Sequence, residues 1–337
     1  MQTPFDPQRL LQIHHSALSA RALSSAFELD IFSPLSKGRK SAEEVAAVSG
    51  ASARGVRMLL DGIAALAVIE KKDGRYGLLP GSARYLLPSS PDYIGAVLAG
   101  GQLWQSWGGL SEAVRSGRPA LAVDKKERAE SFFPLLIRTL HALNREPARR
   151  LAIALGAGTI HKGMRVLDLA CGSAVWSLAI AEADREARVV AQDFPGVLEE
   201  TRAYVAREGC AGRFDYLPGD LNEVSFGREK FDLTLLGNIV HSLGEGPARS
   251  LFARLHPALR PQGRLAIIDF IPDEDRTGPP APVLFALNML LQTEEGDSFT
   301  LSQYRAWLED AGFEGIETAE IGEQGGMASP AIIARKG

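Results

Sequence analysis

Apolar residues recur along this chain with two different periods, and the change from one to the other divides it. Over residues 7–29 they fall at helical spacing (Leu10, Leu11, Ala17, Leu18, Ala22, Phe27), which predicts an amphipathic helix. Ser41 with Glu44 three residues on is a capping box, opening a short helix that stops at Gly50. Ser52 opens a second helix, with Val56, Leu59, Leu60, Ile63 and Leu66 on one face. Residues 68–71 and 76–79 flank Asp73-Gly74, a two-residue hairpin loop. Helix, turn, helix, hairpin is the order of a winged helix, and it predicts a first domain over residues 1–98.

Residues 99–163 predict further helix. Leu103, Trp104, Trp107, Leu110 and Val114 are at helical spacing up to Gly117, and residues 130–156 continue the pattern with interruptions expected at Pro134 and Pro147. From residue 164 the pattern changes to short, nearly unbroken apolar runs alternating with helical stretches. Runs at 166–169, 189–191, 214–217, 231–236 and 264–270 read as strands buried on both faces. Stretches at 175–183, 197–208, 247–259 and 302–311 read as helices, and 313–318 with 331–334 as a closing, hairpin-like pair. The prediction is an α/β fold with a Rossmann-like, mostly parallel sheet over 164–337, covered by the helical segment 99–163 and preceded by a mostly helical winged-helix domain.

The chemistry concentrates in residues 165–193, RVLDLACGSAVWSLAIAEADREARVVAQD. A strand carrying Asp168 leads through a small-residue turn, Ala170-Cys171-Gly172-Ser173-Ala174, into a helix and a second strand ending in Asp193. This is a βαβ unit that places a ligand at the carboxyl end of its sheet. The dinucleotide fingerprint is absent, since its glycine positions hold Ala170, Gly172 and Val175, and so is the phosphate-binding P-loop. A phosphate does not tolerate a carboxylate at the strand end, whereas a ligand carrying an ammonium or sulfonium does. S-adenosylmethionine has both, and a ribose whose hydroxyls Asp193 can grip. The stretch resembles the first two motifs of class I S-adenosylmethionine-dependent methyltransferases, whose loop usually reads D-x-G-x-G-x-G; two of its three glycines are Ala170 and Ala174 here. Further along, Asp220 ends a strand where an acid can accept from an adenine amino group, while Leu221 packs on the ring.

Composition narrows the partners. The 337 residues suffice for two domains with full cores, and the net charge of −4 argues against a nucleic-acid binder working by bulk electrostatics. Arg54, Arg57, Lys71, Lys72 and Arg75 would suit DNA binding. Few side chains of the second helix can read bases, however, and Glu43, Glu44, Asp61, Glu70 and Asp73 balance the charge, so a protein–protein module is favoured. Cys171 and Cys210 are far apart without metal-ligand spacing, so we expect reduced thiols, no metal and a cytoplasmic protein. The first residues lack the features of a signal peptide, and no apolar run approaches the roughly 20 residues that span a bilayer.

The segments FDLTLLGNIVHSL, LRPQGRLAIIDFIPDE and GDSFTLSQYRAWLEDAGF resemble the small-molecule O-methyltransferase family, which includes plant caffeic acid and flavonoid, hydroxyindole and bacterial polyketide O-methyltransferases. The resemblance covers nearly the whole chain. It implies homodimerisation through the winged-helix domain and a histidine general base after the fourth strand. His241 stands there, followed by Ser242-Leu243 where the family has Asp-Trp. It implies cofactor contacts at Ala170, Asp193, Asp220, Leu221 and Gly237; Asp168, Gly172, Phe194 and Asn238 complete the expected set. It also implies Asp269 as the acid orienting the histidine, while a second family glutamate falls on Ser298. The helix at 279–292 would line an acceptor pocket through Phe285, Asn288, Met289 and Gln292, with Phe133, Leu140, His141 and Asn144 as a facing wall. These mostly apolar residues suit a flat aromatic or polyketide-like acceptor. Two other readings stay open: a diverged relative that methylates carbon or nitrogen or does not methylate, and a ligand-sensing winged-helix regulator.

Overall fold

Capping and turn chemistry set the N-terminal elements where the polar punctuation falls. The computed structural model describes residues 5–99, 101–119, 126–324, 327–328 and 330–337, with side chains of 101–103, 126–135, 323–324 and 327–328 left aside. The chain divides into two units, Met1–Leu103 and Trp104–Gly337. The first contains α1 (Gln8–Glu28), α2 (Ala42–Ser49), α3 (Ala53–Ala65), the hairpin β1 (Ile69–Lys72) and β2 (Arg75–Leu78), and two short helices, α4 (Ala83–Leu86) and α5 (Gly95–Leu98). The Ser41 hydroxyl accepts from the Glu44 amide at 3.3 Å and the Glu44 carboxylate accepts from the Ser41 amide at 2.7 Å, the reciprocal capping box. Asp73 and Gly74 both have positive φ, 52° and 73°, as a tight two-residue hairpin loop requires.

Ile31, Phe32, Val45, Leu60, Ile63, Ile69 and Tyr76 form the core of this unit. Basic residues of this unit are held in ion pairs: Arg39 with Glu70, Arg75 with Glu44, and Arg57 and Lys71 with Asp61. Helix α1 departs from the expected pattern. Its buried residues are Ser24, Ala26 and Phe27, while Leu10, Leu11, Ile13 and Leu18 stand at least half exposed.

The second unit begins within α6 (Gly101–Gly108), which is followed by α7 (Leu110–Ser116), where one continuous helix was expected; the break falls at Gly109, next to Gly108, residues with little helix propensity. Helix α8 (Lys126–Ala154) is the opposite correction. It runs through Pro134 and Pro147 without stopping. A proline removes one ladder hydrogen bond and clashes with the preceding turn, but Ala148, Leu151, Ala152 and Leu155 just beyond it are buried in the core, and that packing holds the helix together.

The sheet then alternates with helices: β3 (Arg165–Leu169), α9 (Val175–Ala183), β4 (Arg188–Asp193), α10 (Pro195–Arg207), β5 (Phe214–Pro218), β6 (Phe231–Gly237), α11 (Glu245–Leu255), β7 (Leu259–Ile268), α12 (Pro280–Gln292), α13 (Leu301–Asp310) and β8 (Phe313–Ala319). A two-residue ladder, β9 (Glu323–Gln324) with β10 (Met327–Ala328), precedes β11 (Ala331–Lys336). Strand order is β5-β4-β3-β6-β7-β11-β8, with β11 antiparallel to both neighbours. One face packs α8 and α9 through Val166, Val189, Leu233 and Ala266. The other packs α11 and α13 through Leu167, Leu169, Leu236 and Ile267. After β3 the chain first builds outward through β4 and β5 and later through β6 on the other side. The carboxyl ends of β3 and β6 therefore frame the crevice where this topology holds ligands. Among the described residues no helix is long and apolar enough to cross a membrane.

Candidate active site

The β3–α9 turn is folded tightly. Ala170, Gly172 and Ala174 all have positive φ, 47°, 54° and 58°, a conformation that costs an alanine about 1–2 kcal/mol. Neighbouring groups hold it there. The Ala170 amide donates to the Gln192 side chain at 3.2 Å and the Cys171 amide to the Gln192 carbonyl at 3.1 Å. The Gly172 amide donates to Asp193 at 2.9 Å, and the Gly172 carbonyl accepts from Thr201 at 2.6 Å. Gln192 was not anticipated. An amide interrupting the apolar run of β4 was the available clue, because a buried amide must find partners.

Two carboxylates point into this turn. Asp168 is buried; one oxygen accepts from the Ser177 hydroxyl at 2.5 Å and the other has no hydrogen-bond partner. Burial pushes its pKa up to about 7. Asp193 accepts from the Gly172 and Phe194 amides, and burial raises its pKa to about 6. Two acids raised by desolvation at the end of a parallel sheet mark a candidate ligand site, and an unpartnered buried carboxylate oxygen would fit a cationic group.

Across the crevice, a Cβ on Gly237 would lie 2.4 Å from the Trp176 ring, so only glycine fits there. Asn238 has φ 57° and a buried, unpartnered side-chain oxygen. Leu221 is buried in the core on the α11 face, Asp220 is half-buried and caps the Asn222 amide at 2.8 Å, and Phe194 is exposed.

A second cluster forms beyond β6 and β7. Asp269 follows the last residue of β7, and His241 sits in a single turn of 3-10 helix, Val240–Ser242. The two side chains meet at 2.5 Å through His241 Nδ1, and Asp269 also accepts from the His241 amide at 2.9 Å. The Tyr304 hydroxyl on α13 donates to the same carboxylate at 2.8 Å, as does the Phe270 amide at 2.9 Å. Burial, then the Asp269 charge, pushes the Tyr304 hydroxyl well above its usual range, so it remains a donor. Nothing local in the sequence pointed to Tyr304, which lies 35 positions from Asp269.

Of the expected pocket residues, Phe285 packs edge-on to His241 at 4.9 Å and against Phe270 at 4.2 Å, and Met289 lies 3.9 Å from the Ser242 hydroxyl. Asn288 and Gln292 hydrogen-bond to each other at 2.9 Å. Ser298 is fully buried with an unpartnered hydroxyl. On α8, Leu140 is half-buried and Asn144 is buried with an unpartnered oxygen. His141 is turned toward the β3–α9 turn, where it meets Ser173. The Phe133 side chain lies outside the described residues. Both cysteines are free and buried, and no cluster of metal-ligating side chains occurs among the described residues.

Comparisons with known proteins agree with this architecture. Residues 151–314 match an O-methyltransferase domain and residues 11–88 an O-methyltransferase dimerisation domain. The chain is 29% identical to the tetracenomycin polyketide synthesis 8-O-methyltransferase of Streptomyces glaucescens, over 94% of each chain. It is 28% identical to the 3-hydroxy-5-methyl-1-naphthoate 3-O-methyltransferase of Streptomyces sahachiroi, over 95% of this chain and 93% of that one. Its fold superposes on human N-acetylserotonin methyltransferase in complex with S-adenosylmethionine with a TM-score of 0.84, at 26% identity and with full coverage of both chains. A dimerisation unit joined to a class I sheet with acids at the ends of its first two strands places the chain in the family of S-adenosylmethionine-dependent O-methyltransferases.

Proposed function

We propose that the enzyme methylates a hydroxyl of a small aromatic or polyketide-like acceptor, with His241 as general base. The observation that carries this reading is the His241–Asp269 pair, buried and flanked by the aromatic rings of Phe270 and Phe285. S-Adenosylmethionine supplies an electrophilic methyl group on a sulfonium. Asp168 and Asn238 would hold its cationic end, Ala170, Gly172 and Gly237 would let the protein backbone approach it closely, and Asp193, Phe194, Asp220 and Leu221 would hold its nucleoside. A phenol has a pKa near 10 and is mostly protonated at neutral pH, so its oxygen becomes a good nucleophile as its proton leaves.

His241 donates Nδ1–H to Asp269, which leaves the Nε2 lone pair to take that proton; Nε2 has no protein partner among the described residues. Asp269 fixes the tautomer and steadies the imidazolium that forms. The apolar walls of Phe285 and Met289 orient a flat ring so that its oxygen comes to roughly 3 Å of the methyl carbon. The naphthoate and polyketide acceptors named for the two Streptomyces relatives are of this kind and suit secondary metabolism. The test is incubation with S-adenosylmethionine and a panel of hydroxynaphthoates, polyketide phenols and hydroxyindoles. Product gaining one CH₂ on oxygen supports the proposal; methyl transfer only to carbon or nitrogen, or none across the panel, overturns it.

Tyr304 acts through Asp269 in this scheme. Tyr304→Phe removes one donor from the carboxylate and is expected to lower kcat by about 3- to 10-fold, the value of one hydrogen bond. Steady-state kinetics beside a wild-type S-adenosylhomocysteine titration would check it. We also propose that the exposed apolar stripe of α1 (Leu10, Leu11, Ile13, Leu18) is covered by a second copy of the chain in a homodimer.

A further inference from the structure

We propose that His141 is a positioning residue for the cofactor loop, reaching it from α8 through Ser173. The proposal rests on the assignment of residues 170–174 to S-adenosylmethionine. His141 is buried, and its ring lies over Tyr204 at 4.2 Å with 31° between the planes. Arg207 approaches Nε2 at 3.2 Å, and Ser173 Oγ lies 3.0 Å from Nδ1. A guanidinium only donates, so Nε2 must accept and Nδ1 must carry the hydrogen given to Ser173. Arg207 is itself anchored, over the Tyr204 ring at 4.6 Å and beside Glu208 at 3.5 Å. The tautomer and plane of His141 are therefore set by α10, and its one outward donor is spent on the loop. The Ser173 hydroxyl hydrogen stays available for an acceptor on the ligand.

The loop needs such a tie. Three of its five residues are left-handed and two of those are alanines, so the chain does not favour this conformation by itself. Among the described residues its other restraints come from β4 and α10, through Gln192, Asp193 and Thr201. His141 adds one from α8, outside the βαβ unit. Residue 141 thus tunes cofactor affinity and does not face the acceptor.

The experiment is calorimetric titration with S-adenosylhomocysteine, with steady-state kinetics, on wild type, His141→Leu, His141→Gln, Ser173→Ala and the His141→Leu/Ser173→Ala double variant. His141→Leu is expected to weaken binding by about 3- to 10-fold and to raise the KM for S-adenosylmethionine while that for the acceptor holds. Glutamine both donates and accepts, so His141→Gln should recover most of the loss. Ser173→Ala should match His141→Leu, and the double variant should lose no more than either single one. Wild-type affinity in both His141→Leu and Ser173→Ala overturns the proposal. So does a raised acceptor KM, or a loss that glutamine does not restore in a folded variant. If wild type itself fails to bind, the loop assignment falls, and this outcome is recognisable because it needs no substitution.

Discussion

His241→Ala is expected to lower kcat by about 10²–10⁴-fold, the range a positioned general base contributes, while S-adenosylhomocysteine should bind as it does to wild type. The separation follows from the geometry. His241 stands on the turn beyond β6 and is tied to Asp269, the residue after β7, whereas the acids that would hold the cofactor end β3 and β4. Removing the imidazole removes proton acceptance and leaves those acids in place. Asp269→Asn is the sharper companion. An amide in place of the carboxylate still fills the space, but its NH₂ can turn toward Nδ1 and reverse the tautomer, leaving Nε2 protonated and unable to act as a base. Paired single-turnover and binding measurements decide the matter. An unchanged kcat in His241→Ala would assign the proton to solvent and end the general-base proposal.

Asp168→Asn is expected to weaken S-adenosylhomocysteine binding by about 10²-fold or more, the consequence of removing one partner of a buried charge pair. The same substitution should leave the ligand-free protein at least as stable at pH 8. Burial raises the Asp168 pKa from 3.8 to about 7, so the ionised form is disfavoured by about 4 kcal/mol in the empty fold. An unpartnered amide in its place costs about 1–3 kcal/mol. Because the folded pKa lies above the unfolded one, the stability tied to this proton is fully present below about pH 4 and is lost as pH rises through 7. A cationic ligand acts in the opposite sense, since it binds the ionised carboxylate, so affinity rises over the same interval. The shift in melting temperature produced by S-adenosylhomocysteine should therefore be larger at pH 8 than at pH 5.5. In Asp168→Asn that dependence should shrink to what Asp193, with its pKa near 6, still contributes. A thermal shift independent of pH in wild type would remove Asp168 from the cofactor site.

Alternating apolar runs and punctuation determined much of this protein locally. The capping box at Ser41, the Asp73-Gly74 hairpin, the succession of strands and helices from Arg165 onward, and the two acids ending the first two strands all express short-range rules, because caps, turns and buried strands need particular residues at particular offsets. Proline placement misled, since Pro134 and Pro147 weaken α8 locally while the buried face just beyond restores it. For His141 the sequence was silent on its partners, Ser173 and Arg207, because helical spacing gives the face a residue shares but not what that face meets.

What the sequence by itself determined was the order of elements, and it offered His241, Asp269, Asp168 and Asp193 as the candidate groups for chemistry. Only the tertiary structure decided which donors surround them. The Tyr304 hydroxyl on Asp269, the Gln192 amide under the turn, the Trp176 ring that admits only glycine at 237 and the His141–Ser173 tie all join residues distant in sequence. Such contacts follow from strand order and helix packing, and a chain read one residue at a time carries no rule for them.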